Sequence, residues 1–334
     1  MTTTTQLERY AAHSRHHHAQ RPCRPRRRPR PAAPLSPPRL PLTLLPSPGP
    51  VQTLPPRARP VRLHYRRHGR HRQGDCGGAA RRGFNAVLHR RNEAKMQQVV
   101  RGLRAQGKGK AGERDIRYFF ADAAKAGHDF AKLVEPFGAL HVTIVVHNVG
   151  GSDLSAARID GRSEDYILGV VNKNSFFSLF LTRALLPQLR RAAQSGPVQV
   201  FFVGSLAGDI APVRLPIYAA SKGFLESLAR GLDNDEQFLG VDDRPTGVRF
   251  GYLSVGAVHS DNHDAPMPPR LTTPTSARFA RALVDAMGCG RRRVAPYWMH
   301  AVLSWLVELG PESVADAASA QEMRGLIARA EKDR

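Results

Sequence analysis

Val198-Gln199-Val200-Phe201-Phe202-Val203-Gly204-Ser205 is short, rich in β-branched and aromatic residues, and stops at a glycine. Such a run reads as a buried strand, and it sets the Ser205 hydroxyl at the strand's carboxyl end. Open α/β sheets hold their ligands at that edge. Thirteen residues after Ser205 comes Tyr218-Ala219-Ala220-Ser221-Lys222. On a helix, positions i and i+4 share a face, so the phenol and the ammonium can enter one cleft. An ammonium beside a phenol lowers the phenol's pKa from about 10 toward the working range. A general acid that protonates a carbonyl oxygen needs that shift. Taken alone, the same pair is also what an exposed lysine one turn from a half-buried tyrosine would give.

Working outward, the texture repeats. His141-Val142-Thr143-Ile144-Val145-Val146 is a second strand, ending in His147-Asn148-Val149-Gly150-Gly151. A helix follows through Val170-Val171-Asn172 and then Leu181-Thr182-Arg183-Ala184-Leu185-Leu186-Pro187. Upstream, residues 82–89 read as a strand, 92–106 as an amphipathic helix, 115–120 as a strand and 129–137 as a helix. Downstream, residues 247–253 read as another strand. Strands alternating with helices at this spacing indicate βαβ units, and so a doubly wound parallel sheet of the Rossmann type.

This arrangement resembles the short-chain dehydrogenase/reductase family, in which a strand ends in an NNAG-like turn, a helical Asn follows, then a strand-end Ser, then YxxxK. The resemblance runs from about Ala79 to the C-terminus. The Thr182-Arg183 to Leu186-Pro187 run and the Ala295-Pro296-Tyr297-Trp298-Met299-His300 segment look most like the 3-ketoacyl-CoA reductase and 17β-hydroxysteroid dehydrogenase branch. It implies a catalytic set of Asn172, Ser205, Tyr218 and Lys222. Tyr218 would donate the proton, with Lys222 lowering its pKa and bonding the nicotinamide ribose. Ser205 would orient the carbonyl, and Asn172 would hold a water for reprotonation.

It also implies NADP(H) as cofactor. His89-Arg90-Arg91-Asn92 closes the second strand without an acid. An acid there would bond the ribose 2′-hydroxyl, whereas an arginine accommodates a 2′-phosphate. Arg91 and Asn92 match the family's string, Asp122 its adenine-contacting acid and Asn148 its turn asparagine. His147 and Val149 depart from that turn. The PGxxxT segment becomes Val255-Gly256-Ala257-Val258-His259-Ser260, with Val for Pro, while Ser260 retains a hydroxyl for the carboxamide. The implied partner is a hydrophobic carbonyl compound, a 3-oxoacyl thioester or a ketosteroid. Residues 297–306 are apolar enough to wall its pocket, to serve as a core helix or to pack against a second copy in a homo-oligomer.

Composition divides the chain in two. Residues 1–78 hold 16 arginines, no lysine, 14 prolines and only Glu8 and Asp75 as acids, out of an overall net charge of +22. No apolar period is evident there, and such a segment cannot bury enough surface to offset its ordering entropy. It is expected to be disordered, with the dehydrogenase-like domain spanning 79–334. A solvated basic tail binding no specific nucleic acid is the simple reading of its charge. Cys23, Cys76 and Cys289 have no metal-ligand spacing. No run of 18 apolar residues marks a membrane span. As written the chain suits the cytoplasm, although the resemblance implies relatives on the endoplasmic reticulum membrane.

One family element is missing. No TGxxxGxG turn precedes Arg81, and the first strand should be lost with it, leaving two unpaired edges with a void, or a misfit strand, between them in the sheet. Written as degenerate codons and read one nucleotide later, Tyr65 to Gly78 permits Thr-Gly-Ala-Thr-Asp-Gly-Ile-Gly-Lys-Ala-Thr-Ala-Glu. Out-of-frame translation of that stretch would account for both the missing turn and the Arg/Pro/His-rich composition. Two functions therefore compete: an NADP(H)-dependent ketone reductase, and a catalytic set on an inactive remnant or misread gene product that cannot hold dinucleotide.

Overall fold

Seven parallel strands form one sheet in the order β3-β2-β1-β4-β5-β6-β7. The computed structural model describes residues 61–66 (backbone only), 84–106, 115–259 and 267–332, all within the compact unit from Thr53 to Arg334. The strands are β1 Val61–Arg66, β2 Asn85–Arg90, β3 Ile116–Phe120, β4 Val142–Asn148, β5 Val198–Val203, β6 Val248–Leu253 and β7 Arg293–Val294. The described helices are α1 Glu93–Gln106, α2 Phe130–Val134, α3 Glu164–Val171, α4 Phe177–Ala193, α5 Ala207–Ile210, α6 Pro216–Asn234, α7 Ser276–Ala286, α8 Trp298–Leu309 and α9 Glu312–Lys332.

Of the two outcomes expected at the centre of the sheet, the void is corrected: a strand lies there, with a register shift against β4 at Val61/Arg62. Val61–Arg66 occupies the position, paired in parallel with β2 on one side and β4 on the other. The physical reason is backbone satisfaction: β2 and β4 would otherwise each carry an edge of unpaired N–H and C=O groups inside the protein. The sequence signal was present. Val61-Arg62-Leu63-His64-Tyr65-Arg66 alternates apolar and basic residues, a period of two that the surrounding arginines and prolines mask. The sheet's central strand thus falls inside the stretch read as disordered. The expected glycine-rich turn, at 67–83, lies outside the described residues.

Helices cover both faces, which is why the central strands are nearly continuous hydrophobic runs. On one side α1 buries Met96, Val99, Val100 and Leu103 against Leu88 and Ile116. On the other, Phe177, Leu181, Leu185 and Leu189 of α4 pack on Val145, Val200 and Phe202. Each such side chain contributes about 1.5–3 kcal/mol relative to exposure.

His147, one of the departures from the family turn, is packed rather than chemical. It is 1% exposed, stacks on Phe202 with ring centroids 4.9 Å apart, and meets Thr182 Oγ1 at 2.8 Å. Because the Thr182 hydroxyl donates to the Ser178 carbonyl, it accepts from His147, which assigns the Nε2–H tautomer. Burial, and then the neighbouring His89, hold the imidazole pKa down at about 3. A histidine depressed in the folded state gives stability that is present above its unfolded value near 6.5 and is lost as pH falls through the window from 6.5 to 3. At pH 5 the loss is about 2 kcal/mol. Melting temperatures at pH 7.5 and pH 5 should therefore differ by about 4 °C or more from this group. His147→Gln should shrink that difference, and an unchanged pH dependence would refute the assignment.

Candidate active site

Every element that ends at the carboxyl edge between β4 and β6 contributes to one cavity of about 300 Å³. Asn148 to Ser152 enter from β4, Val203 to Ser205 from β5 and Val255 to Val258 from β6, and Tyr218 and Lys222 face it from α6. Pro216 starts α6, where its missing N–H costs nothing. Tyr218 and Lys222 then fall one turn apart, with Lys222 Nζ 5.6 Å from the centre of the tyrosine ring. Lys222 is only 3% exposed and donates to the Val203 carbonyl at 2.8 Å. That bond aims the ammonium at the end of β5.

Ser205 is held as a strand-end turn. Its Oγ accepts the Ala207 N–H at 3.1 Å. A hydroxyl that accepts from backbone still has its own proton to give, so the turn leaves the serine able to donate into the cavity. A residue not singled out in the sequence fixes this turn from behind. Tyr252 on β6, 1% exposed, accepts the Ser205 N–H at 3.1 Å and donates to the Ser205 carbonyl at 3.2 Å. Burial pushes the Tyr252 phenol up, out of the range where it ionises. Gly204 makes room for the ring, since a Cβ there would lie 1.9 Å from Tyr252 Cζ. No spacing rule joins residues 204, 205 and 252, because sheet pairing alone brings them together.

The two nearby asparagines face different groups. Asn172 directs its amide to the Ala124 carbonyl at 3.3 Å. Asn174, fully buried, turns toward the Gly150–Gly151 turn: Oδ1 accepts the Gly151 N–H at 2.5 Å, and Nδ2 donates to the Gly151 and Val170 carbonyls at 3.1 and 2.8 Å. A Cβ on Gly150 would lie 2.5 Å from Asn174 Oδ1 and 3.0 Å from Lys222 Nζ, so Asn174 and the lysine flank the same point. Residues two apart on a helix do not face one another, hence only one of the two can point inward. Both sit in the π-helical turn 172–176 between α3 and α4, a distortion found often at functional sites.

The cofactor implied by the sequence is a nicotinamide dinucleotide, and the described residues fit both its ends. Gly150 and Gly151, with φ of 148° and 123°, bring bare backbone to the cavity that Val255 also lines. At the carboxyl end of β2, Arg91 is exposed and lies 4.0 Å from Asp122, a cation beside the expected adenine acid. Asp122 Oδ1 accepts the Ala124 N–H, and Asn92 caps α1 by accepting the Lys95 N–H. Ser260 lies outside the described residues.

The C-terminal stretch departs from the expected pocket wall. In α8 only His300 is buried, while Trp298, Trp305 and Leu309 are more than half exposed. His300 Nε2 sits 3.2 Å from both the Ala257 and Thr272 carbonyls and tethers two loops at the cavity mouth. A Cβ on Gly256 would lie 2.6 Å from its ring. The apolar wall comes instead from Met323 and Leu326 of α9. Among the described residues no helix is long and apolar enough to cross a membrane.

Comparison with known proteins agrees with this geometry. The short chain dehydrogenase family model matches residues 76–265. Very-long-chain 3-oxoacyl-CoA reductase of Kluyveromyces lactis is 26% identical over 238 residues, covering 69% of this chain and 65% of the relative. That of Schizosaccharomyces pombe is 29% identical over 235 residues, covering 68% and 65%. The chain thus spans about two-thirds of the length of the curated relatives it matches. Among solved structures, a short chain dehydrogenase of Shigella flexneri complexed with NADP superposes with a TM-score of 0.58 at 20% identity, covering 72% of this chain and 95% of the other. A 7β-hydroxysteroid dehydrogenase gives 0.62 at 14%, covering 78% and 96%. At those identities the structures speak for the fold alone.

Proposed function

Because the chain belongs to the short-chain dehydrogenase family, we propose that it works as an NADP(H)-dependent reductase of a hydrophobic ketone, with a 3-oxoacyl thioester the leading substrate class. The observation that carries the reading is the convergence of buried Lys222, Tyr218 and the Ser205 hydroxyl on one cavity with an apolar far wall. Bound there, the reduced dinucleotide would supply the hydride to the carbonyl carbon. Tyr218 gives its phenolic proton to the carbonyl oxygen, and Ser205 donates a hydrogen bond that fixes that oxygen's position. Lys222 stabilises the phenolate left behind. Asn174, bonded to Gly151 and adjoining Lys222, takes the role that the sequence assigned to Asn172: it holds the reprotonation path beside the lysine. Arg91 favours the 2′-phosphate of NADP(H). The relatives named as 3-oxoacyl-CoA reductases favour the thioester over the steroid.

The asparagine exchange is directly testable. Asn174→Ala should lower kcat by about 10²-fold, the scale of a misplaced catalytic group, with dinucleotide affinity retained. Asn172→Ala should stay within a few-fold of the parent. The reverse order in steady-state kinetics would return the role to Asn172.

A second reading is favoured by the lack of any TGxxxGxG string in the chain: the catalytic set stands on a protein that does not hold dinucleotide. Titration with NADPH, followed by nicotinamide fluorescence, separates the two. Saturable binding supports the reductase. Its absence, together with binding once Thr-Gly-Ala-Thr-Asp-Gly-Ile-Gly is restored in frame, supports the second.

A further inference from the structure

A second cavity of about 230 Å³ adjoins the first, and the two share Ser152, Leu215 and Tyr218. Its character is different. Three arginines, Arg158, Arg162 and Arg214, line it, and no carboxylate does. Arg162 is the built part: 14% exposed, it donates to Asp153 at 2.9 Å and lies over the Tyr166 ring at 4.3 Å. The Tyr166 hydroxyl also donates to Asp153. That single acid is therefore engaged twice, and it is not among the residues that line the cavity. Arg158 reaches one exposed carboxylate, Asp160, at 3.3 Å. Arg214 has no described ion-pair partner and stands at φ 66°, a conformation that non-glycine residues adopt rarely and mostly in turns or at functional sites.

The catalytic tyrosine thus sits between two unlike compartments. Met323 and Leu326 line the apolar one, and three arginines line the other. A ketosteroid has no use for the second. A 3-oxoacyl group on a phosphorylated carrier needs both, because its acyl chain is apolar, its carbonyl lies near the thioester, and its carrier arm ends in phosphates. Guanidinium groups bind phosphate in bidentate, charge-assisted fashion.

We propose that the cavity framed by Arg158, Arg162 and Arg214 is the subsite for the phosphate-bearing arm of a coenzyme A thioester. The assignment rests on the reductase reading of the same site and fixes its substrate class. The carbonyl is reduced at Tyr218 while the carrier leaves toward the arginines. Tyr218 and Leu215, common to both cavities, lie at the branch.

The test compares acetoacetyl-CoA with the N-acetylcysteamine thioester of acetoacetate, which presents the same reacting group without phosphates. The ratio of their kcat/KM values reads the subsite alone. Arg158→Ala/Arg214→Ala, two exposed positions whose loss leaves the Arg162–Asp153 pair intact, should lower that ratio by about tenfold or more, since charge-assisted bonds contribute at that scale. Raising the salt concentration should lower the parent's ratio in the same direction. An unchanged ratio overturns the proposal. Calorimetry with coenzyme A and with pantetheine, on the full chain at saturating NADP, gives a readout independent of turnover. Coenzyme A should bind, pantetheine should not, and the double variant should weaken only the former. Arginine-dependent binding without turnover of either thioester would keep the subsite and sink the reductase reading. Turnover of both thioesters without discrimination would do the reverse.

Discussion

Tyr218→Phe is expected to lower ketone reduction by about 10²–10⁴-fold, the contribution of general acid catalysis, while NADPH affinity changes little. Only the hydroxyl is removed. The ring remains on α6 within reach of Lys222, and Lys222 keeps its bond to Val203, so the pocket should stay intact. Steady-state kinetics set against fluorescence titration of NADPH check it. The loss should appear in kcat and kcat/KM together, the signature of an interaction made in the transition state. A variant that reduces ketones at the parental rate would remove Tyr218 from the proton path. If the parent itself reduces nothing and binds no NADPH, the substitution changes nothing, and the reading without dinucleotide gains.

Gly204→Ala should have an effect of similar size by another route. Its Cβ would lie 1.9 and 2.1 Å from two carbons of the Tyr252 ring and 2.2 Å from its hydroxyl oxygen. That ring is buried on β6 and cannot swing away, and its hydroxyl holds both the N–H and the carbonyl of Ser205. One of two things must give. Either the core shifts, at about 1–3 kcal/mol for overpacking, or Tyr252 releases the serine turn and the catalytic hydroxyl moves. The variant should melt lower and lose about 10²-fold in kcat, since a displacement near 1 Å has that cost. Tyr252→Phe separates the two causes, because it deletes the two bonds and inserts no atom. A Gly204→Ala protein with parental melting temperature and kcat would show that the ring has space the structure does not give it.

Most of the site was legible because its residues obey local rules. Tyr218 and Lys222 are one helical turn apart, and Ser205 ends a strand whose composition gives it away; the family resemblance joined the three into one set, and all three line one cavity. The choice between Asn172 and Asn174 was not legible. Both lie in the same helical run, and the direction each faces depends on the π-helical turn 172–176, whose extra residue shifts the phase of the face. The strand at 61–66 escaped for a different reason. Its alternation is short and is set among arginines and prolines, and what selects it is the demand of two neighbouring strand edges for partners.

By itself, the sequence determined the alternating strands and helices and the parallel doubly wound sheet, and it pointed to the carboxyl edge and to Tyr218, Lys222 and Ser205 as the candidate site. The fold follows from periodicities of 2 and 3.6 residues, and the candidate set from the family resemblance that the order and spacing of those residues carry. Only the tertiary structure decided that Tyr252 clamps Ser205 through the space left by Gly204. It also decided that Asn174 adjoins the lysine, that α9 rather than α8 supplies the apolar wall, and that three arginines gather beside Tyr218. The physical reason is common to all four. Each depends on which residues distant in sequence are packed within a few ångströms of one another, and that is fixed by the layering of helices on the sheet.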